Sequence, residues 1–262
     1  MIANMQTPQR LAPALAISVV SHGHGAMLGP LLNQLEGVSR TIPLEVVVVR
    51  NLPEPRPEAI PGTLPITWID NAEPMGFAEN HNAAFRRTTA PYFCVLNPDV
   101  VVTADSFAPL LDALKATPGV VGPRVESPAG GIEDSARRVP GVLRLAVRWL
   151  ARRFEADYDP SIPMQQVDWL AGMCLVFDRA SFEQVGGFDP RYRLYCEDVD
   201  VCLRLHLQRR FVGWIQNARV VHDAQRDSRR NPRYMLWHIK SLLMLLTSRA
   251  YWQFRIQSKM TG

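Results

Sequence analysis

The sequence predicts an α/β fold in which a mostly parallel sheet carries a ligand site at the carboxyl ends of its strands. Four apolar runs in the first part of the chain are rich in β-branched or aromatic residues, and Gly, Pro, Asn or Asp bounds each of them. These runs are Leu15–Val20, Leu44–Val49, Ile66–Ile69 and Tyr92–Leu96. Helical patterns lie between them at Met27–Leu35 and Phe77–Arg87. The alternation is typical of right-handed βαβ units, and such sheets bind ligands where their strands end.

The remainder of the chain is expected to continue in both kinds of element. Asp105 is a suitable N-cap for a helix that reaches about Thr117. The later elements are expected to be strand Val120–Arg124, strand Cys174–Phe177, helix Ala180–Val185, helix Asp198–Gln208, strand Phe211–Ile215 and helix Pro232–Thr247. Val142–Phe154 has the pattern of a basic amphipathic helix, which either packs on the core or touches lipid.

Composition indicates one globular domain, since 47% of the 262 residues are hydrophobic and 21% are charged. We expect the four cysteines to be reduced, because their spacing suits neither a disulfide framework nor a zinc site. No signal peptide or membrane-spanning segment is expected. Residues 203–262 carry 12 Lys and Arg against 2 Asp. This basic part suits phosphate groups or an anionic membrane, or it is simply a solvated helix surface.

One candidate site is Asn97-Pro98-Asp99, which follows the strand Tyr92–Leu96 directly. A carboxylate at a strand end could bind Mg²⁺ or Mn²⁺, with phosphate oxygens and water completing the coordination. Such a turn is also an ordinary way for the chain to leave a strand.

A second candidate site is Glu197-Asp198, with Asp200 two residues later, at the start of a predicted helix. Carboxylates at a helix N-terminus stabilise the helix through its dipole, which needs no catalytic role. Alternatively, one of them is a general base that a rigid helix end presents to a sugar hydroxyl. An ordinary carboxylate is already ionised at neutral pH, so this role requires no raised pKa.

Three further features could serve a site or the core. Trp169 and Gly172 suit stacking on a sugar ring or packing beside a tight turn. His222 follows a strand-like run and could bind a metal or make a structural hydrogen bond. Four arginines crowd one short stretch, and guanidinium groups can clamp a diphosphate. They are Arg226, Arg229, Arg230 and Arg233.

The order of these motifs resembles that of the family-2 glycosyltransferases with the GT-A fold, and among them the O-antigen and polysaccharide rhamnosyltransferases. The resemblance covers about Ile17 to Ser241. The matching segments are Ser18–His22, Asn71 with Gly76–Asn82, Leu96–Asp99, Val167–Gly172, Gly187–Asp189, Tyr195–Arg204, His222 with Asp227 and Arg229, and Trp237–Ser241.

The resemblance implies a single domain built on a Rossmann-like mixed sheet flanked by helices. Its nucleotide-sugar and metal half would cover about residues 15–125, its acceptor and catalytic half about 126–225, and a basic helical extension about 226–262.

The resemblance also implies a role for each matching side chain. Ser21, Asn51, Asn71, Asn82, Asn97 and Arg229 would bind the donor nucleotide sugar. Asp99 and His222 would bind the divalent metal, Mg²⁺ or Mn²⁺. Asp198 would be the catalytic base, Glu197 would orient the acceptor, and Trp169 and Gly172 would line the acceptor side. The family usually has Asp-Asn where this chain has Arg50-Asn51, so the nucleotide, dTDP or UDP, stays open.

The implied reaction is an inverting transfer of L-rhamnose from dTDP-L-rhamnose to a sugar on a polyprenyl diphosphate. It would take place at the anionic inner face of the cytoplasmic membrane, in O-antigen or related polysaccharide synthesis. A UDP-sugar donor and a non-catalytic nucleotide-sugar-binding protein are alternatives, although a binding protein has no use for Glu197-Asp198. A nucleotidyltransferase would be expected to carry a Gly-rich phosphate loop, which Ser21–Gly25 matches poorly. Nucleic acid is not an expected partner, since the basic residues lack interleaved aromatics, and the oligomeric state is left open.

Overall fold

The computed structural model describes residues 12–139, 157–222 and 232–260. The first half contains β1 (Leu15–Ser21), α1 (Gly25–Ser39), β2 (Leu44–Arg50), β3 (Ile66–Asp70), α2 (Phe77–Phe85), β4 (Tyr92–Leu96), β5 (Val100–Val101), α3 (Ala108–Ala116) and β6 (Gly119–Glu126). The second half contains β7 (Ala136–Arg137), β8 (Met164–Gln166), β9 (Trp169–Leu170), β10 (Cys174–Asp178), α4 (Arg179–Gln184), α5 (Glu197–Leu207), β11 (Phe211–His222), α6 (Pro232–Thr247) and α7 (Arg249–Met260).

Nine of the described strands form one mixed sheet in the order β3-β2-β1-β4-β10-β6-β11-β5, with β8 also paired to β11. The strands β1 to β4 are parallel, as the sequence predicts. The strand β10 is antiparallel to both of its neighbours, β4 and β6. The strand β11 is parallel to β6 but antiparallel to β5 and β8. The sheet is therefore mixed rather than mostly parallel, because a fully buried apolar strand has the same sequence pattern in either direction. The strands β7 and β9 form a separate antiparallel pair.

Alternating residues of the strands supply two core layers, one on each face of the sheet. Leu15, Ile17 and Val19 of β1 pack with the buried leucines of α1 and α3 on one face. Ala16 points to the opposite face, where α2, α4 and α5 pack over a cluster of phenylalanines. Successive strand residues point to opposite faces, so one buried strand serves both layers.

The last two helices belong to a third apolar cluster, which lies on α5. Leu245, Tyr251 and Phe254 are buried there with Leu203 of α5 and Tyr192. The extension predicted from about residue 226 is therefore packed against the helix that begins at the candidate catalytic carboxylates.

Three details differ from the sequence predictions, and one prediction lies outside the described residues. Ala104–Ser106 forms a short 3-10 turn that begins at Thr103, so α3 starts later than a cap at Asp105 would place it. The predicted strand Phe211–Ile215 and the strand-like residues before His222 are one strand, with an irregularity where it pairs with β6. The helix α7 lies within the predicted basic helical extension, but the predictions do not separate it from α6. Residues 142–154, the expected basic amphipathic helix, lie outside the part of the chain that the structure describes.

Candidate active site

The parallel strands β1, β2 and β3 end at one edge of the sheet and bring three predicted donor-site residues together. The backbone N–H of Asn51 donates to the carbonyl of Ser21 at 2.8 Å, and that of Asn71 donates to the carbonyl of Arg50 at 3.1 Å. The Ser21 side chain is buried, and its hydroxyl accepts a hydrogen bond from the backbone of His24. The three residues therefore lie together at the edge expected to hold the nucleotide, and donor binding there stays a prediction.

The side chains of Asn51 and Asn71 are tied into one amide network. Asn71 Nδ2 donates to Oδ1 of Asn51 at 2.8 Å and to Oδ1 of Asn80 at 2.7 Å. Asn51 Nδ2 also donates to the carbonyl of Met75 and to Nδ1 of His22, and Asn51 Oδ1 accepts from the N–H of Met75. These amides brace the loop that leads into α2, so they fix the shape of the nucleotide edge.

Asn82 contacts the second half of the chain at Phe188. Its Nδ2 donates to the carbonyl of Phe188 at 2.7 Å, and its Oδ1 accepts from the Phe188 N–H at 3.0 Å. The adjacent Gly187 has φ +73°, and a Cβ there would lie 2.6 Å from Asn82 Oδ1. These contacts explain Asn82 and Gly187 as a brace for a tight turn, and donor binding by Asn82 stays a prediction.

Arg50 forms an ion pair where the family usually places an acid. Its Nε lies 2.5 Å from Oδ1 of Asp70, at the end of the neighbouring strand. The hydrogen bond from Arg50 lowers the pKa of Asp70. A carboxylate is therefore present at this edge, one strand away from the position that the family pattern indicates.

The predicted metal residues lie close together because β5 pairs with the end of β11. Asn97 donates its N–H to the carbonyl of Met173 and accepts from the N–H of Val100, which forms the turn that carries Asp99. His222 pairs with Val100 in the antiparallel register. As a result, His222 Nε2 lies 3.2 Å from Oδ2 of Asp99.

Glu133 completes this group, and the sequence analysis missed it. Its Oε2 lies 2.9 Å from Nδ1 of His222. Burial lowers the pKa of His222, but the hydrogen bonds to Asp99 and Glu133 outweigh it and raise the pKa overall. Glu133 is 89 residues from His222 in the chain, so no local pattern links the two.

Asp99 fits a metal ligand better than His222 does in this arrangement. Its Oδ1 is buried and has no hydrogen-bond partner, an unmet need that a divalent cation satisfies. Both ring nitrogens of His222 already contact carboxylates. Among the described residues, no group of three or more His, Cys, Asp and Glu could hold a metal ion. Asp99 would therefore share the metal with oxygens of the donor diphosphate.

The candidate catalytic carboxylates begin α5 directly after a strained turn. Tyr195 and Cys196 have φ values of 71° and 67°, in the left-handed region that side chains other than glycine disfavour. Glu197 is 5% exposed, and its buried Oε2 has no hydrogen-bond partner. Two adjacent left-handed residues and an unsatisfied carboxyl oxygen are costly, and such features concentrate at functional sites.

Asp198 is held from two directions and keeps partial exposure. Its Oδ2 accepts from the N–H of Gly172 at 3.0 Å, and its Oδ1 accepts from the N–H of Val199 at 2.8 Å. Gly172 thus contacts the predicted base through its backbone. A Cβ at Gly172 would meet Phe77 and Asp198 only at ordinary contact distances, so the glycine is not required by space at this point.

Burial raises the pKa of both carboxyl groups, an effect that no sequence pattern indicates. For Glu197 the negative charge of Asp198 adds to the effect of burial on the pKa. For Asp198, burial raises the pKa against the two N–H donors and the positive charge of Arg137. Glu197 is therefore the group that more readily keeps its proton.

Arg137 and Trp169 form a platform beside the carboxylates, and Arg137 is a second residue that the sequence analysis missed. Pairing of β7 with β9 places the Arg137 guanidinium 5.2 Å from the centre of the Trp169 ring. The indole N–H donates to the carbonyl of Arg138 at 3.3 Å. A flat aromatic ring with a cation next to a carboxylate suits a sugar that carries a phosphate.

Residues 19–186 match the family model described as Glycosyl transferase family 2. The chain belongs to this family. It is 32% identical over 184 residues to an N-acetylglucosaminyl-diphospho-decaprenol L-rhamnosyltransferase of Mycobacterium tuberculosis. The aligned region covers 64% of this chain and 59% of that protein. The chain is 26% identical to the rhamnosyltransferase WbbL of Escherichia coli, over 65% of this chain and 70% of that protein. The chain thus spans about three fifths of the length of the mycobacterial relative.

The solved structures that resemble this chain confirm the GT-A fold. GalNAc-T7 with UDP, GalNAc and Mn²⁺ superposes with a TM-score of 0.64 at 14% identity, over 80% of this chain and 43% of that one. The mannosyltransferase PcManGT of Pyrobaculum calidifontis, with GDP-Man and Mn²⁺, has a TM-score of 0.57 at 18% identity, over 89% of this chain and 65% of that one. Within the described residues, no helix has the length and apolar character needed to cross a membrane. The predicted donor residue Arg229 lies outside those residues.

Proposed function

We propose that this chain is an inverting glycosyltransferase that moves L-rhamnose from dTDP-L-rhamnose to a sugar linked to a polyprenyl diphosphate. The observation that carries the proposal is the Glu197-Asp198 pair, whose burial, raised pKa values and strained preceding turn have no structural necessity in a binding protein. The name of the mycobacterial relative supports this sugar and this class of acceptor.

Asp198 would remove the proton from the acceptor hydroxyl as the hydroxyl oxygen attacks the anomeric carbon. The nucleoside diphosphate leaves from the opposite face, so the configuration at that carbon inverts. The N–H groups of Gly172 and Val199 fix the direction in which Asp198 points. A protonated Glu197 would donate its hydrogen to the acceptor and orient it, since its raised pKa favours the neutral form.

The donor would lie along the edge formed by Ser21, Asn51 and Asn71, with Asp99 next to the diphosphate. When bound, a divalent metal such as Mg²⁺ or Mn²⁺ neutralises the charge that develops on the leaving diphosphate. Oδ1 of Asp99 is the free buried oxygen that would hold it. Polysaccharide synthesis from a lipid-linked acceptor would place the protein on the inner face of the cytoplasmic membrane.

The test is release of nucleoside diphosphate from a panel of dTDP- and UDP-sugars, with Mg²⁺ or EDTA, in the presence of GlcNAc-diphospho-lipid. Turnover that requires metal and dTDP-L-rhamnose would support both the enzyme class and the donor. Turnover with only a UDP-sugar would show that the proposed donor is wrong and that the chain is nevertheless a glycosyltransferase. Donor binding by calorimetry without turnover on any acceptor would favour a non-catalytic nucleotide-sugar-binding protein.

A further inference from the structure

The last two helices expose an unusual amount of apolar surface. Among the described residues, 12 large hydrophobic side chains are exposed, and six of them lie on α6 and α7. They are Met235, Leu236, Ile239, Leu243, Trp252 and Ile256. Leu236 is 65% exposed and Leu243 60%, the two highest values of the set. Scattered single residues of this kind are normal, whereas a concentration on one element marks an interaction surface.

Four of these side chains form one stripe along α6, which we call the apolar stripe. Met235, Leu236, Ile239 and Leu243 recur at the spacing of one helix face. The opposite side of α6 is used inside the protein, because Leu245 is buried in the cluster on α5. The stripe is therefore not needed for the contacts that hold α6 to the domain.

The charge of the same segment indicates the kind of surface that the stripe would meet. Residues 232–260 contain five Lys or Arg and no Asp or Glu. They are Arg233, Lys240, Arg249, Arg255 and Lys259. An apolar stripe on a segment whose charged residues are all basic complements a bilayer that has acyl chains below anionic headgroups.

The helix α6 also contacts the turn that precedes the catalytic carboxylates. Ser241 Oγ donates to the carbonyl of Leu194 at 2.8 Å. The ring of His238 stacks on Tyr195, with ring centres 4.6 Å apart. One helix diameter, about 10 Å, therefore separates the turn from anything that lies against the stripe.

We propose that the apolar stripe of α6 docks on the surface of an anionic lipid bilayer and presents the catalytic turn to a lipid-linked acceptor. Lys240, Arg249 and Arg255 contact the headgroups, and the stripe enters the boundary between headgroups and acyl chains. The identity of the acceptor rests on the proposed function, but docking itself requires no turnover.

Binding of the purified full chain to vesicles without substrates tests the docking. Phosphatidylethanolamine–phosphatidylglycerol vesicles are compared with phosphatidylcholine vesicles by co-sedimentation. We expect binding to the anionic vesicles, and about tenfold or more weaker binding for the double variant Leu236→Ser/Leu243→Ser, because each leucine loses its transfer into the apolar layer. The matched control, Ile60→Ser/Ile162→Ser, also removes two exposed apolar side chains and should bind like the unaltered chain. Unchanged melting temperatures would show that all variants are folded.

Two results would overturn the proposal. One is an unaltered chain that ignores anionic vesicles at low salt. The other is a dimer in sedimentation velocity that the stripe variant converts to monomer, since a second copy of the chain would then cover the stripe.

Activity on two acceptors separates this proposal from the proposed function. The stripe variant should keep full activity on a short, water-soluble acceptor and lose about tenfold or more on a polyprenyl acceptor in vesicles. Equal activity of the variant and the unaltered chain on both acceptors would contradict the docking role. If the proposed function is wrong, no protein turns over either acceptor, while vesicle binding and its loss in the variant are unaffected.

Discussion

Replacing Asp198 with asparagine tests the role of the proposed base while leaving most contacts of the side chain in place. The side chain keeps its size, and an amide oxygen can still accept from the N–H of Val199 or of Gly172, which lie 2.8 and 3.0 Å away from the carboxylate oxygens. The amide cannot take the proton of an acceptor hydroxyl. Loss of general-base catalysis typically costs about 10²–10⁴-fold in rate, which is about 3–5 kcal/mol in the barrier.

The fold should tolerate this change. One of the two hydrogen bonds is lost, at about 1 kcal/mol. Removal of a partly buried carboxylate, whose pKa burial raises, offsets that loss. We therefore expect a melting temperature within about 2–4 °C of that of the unaltered chain. Donor affinity, measured by calorimetry, should not change, because the nucleotide edge lies on other strands.

The variant Glu197→Gln is the sharpest comparison for Asp198→Asn. Glutamine mimics a protonated Glu197, so we expect it to keep activity within about tenfold in the nucleoside diphosphate release assay. The exposed Asp112→Asn, on α3, controls for the loss of a carboxylate as such and should behave like the unaltered chain. If Asp198→Asn turns over within a few-fold of the unaltered chain, or if Glu197→Gln is the more damaged of the two, the assignment of the base is wrong.

Three further predictions concern other parts of the site. The positive charge of Arg137 lowers the pKa of Asp198, so Arg137→Gln should move the acid limb of the pH–rate profile to higher pH. An acid limb that stays in place or moves to lower pH would contradict this effect of Arg137 on Asp198. The folded state raises the pKa of His222, so it stabilises the imidazolium form, which even the unfolded chain carries below about pH 6.5. The metal-free protein should therefore lose stability as pH rises through this raised pKa. His222→Gln should lack this dependence when melting temperatures are compared across pH. Asn82→Ala removes the hydrogen-bond partner of both backbone groups of the buried Phe188. It should lower the free energy of unfolding, measured with urea, by about 2 kcal/mol. An unchanged urea midpoint would mean that water replaces the amide.

The strands and helices of the first half could be predicted because each combines a clear period with a turn residue at its end. Leu15–Ser21 and Leu44–Arg50 extend their predicted runs by one residue. The direction of β10 could not be predicted, because the apolar run Cys174–Phe177 suits a parallel or an antiparallel neighbour equally. The break between α6 and α7 was missed because α7 follows α6 after one residue, Ser248, without a glycine or proline to mark it.

Some residues of the candidate site are marked by their local sequence, whereas others reach the site only through contacts between distant parts of the chain. The positions of Asp99, Glu197 and Asp198 could be predicted, because Asp99 lies in the turn after a strand and the other two begin a helix, while their roles stay predictions. Glu133 and Arg137 lie in a segment without a regular period, and they reach the site only through contacts with residues far along the chain. The raised pKa values have the same origin, since burial is a property of the whole packing around Asp198.

The turn that precedes Glu197 and Asp198 contacts the first half of the chain at the start of α2. The N–H of Phe77, at the start of α2, donates to the carbonyl of Arg193 at 2.9 Å. A Cβ at the preceding Gly76 would lie 2.9 Å from that same oxygen, so only glycine allows the backbones to approach so closely. The amide network of Asn51 and Asn71 braces the loop before Gly76, and α6 supports the turn from its other side. Backbone and side-chain contacts therefore set the distance between the expected nucleotide edge and Asp198, as the proposed in-line displacement between donor and acceptor requires.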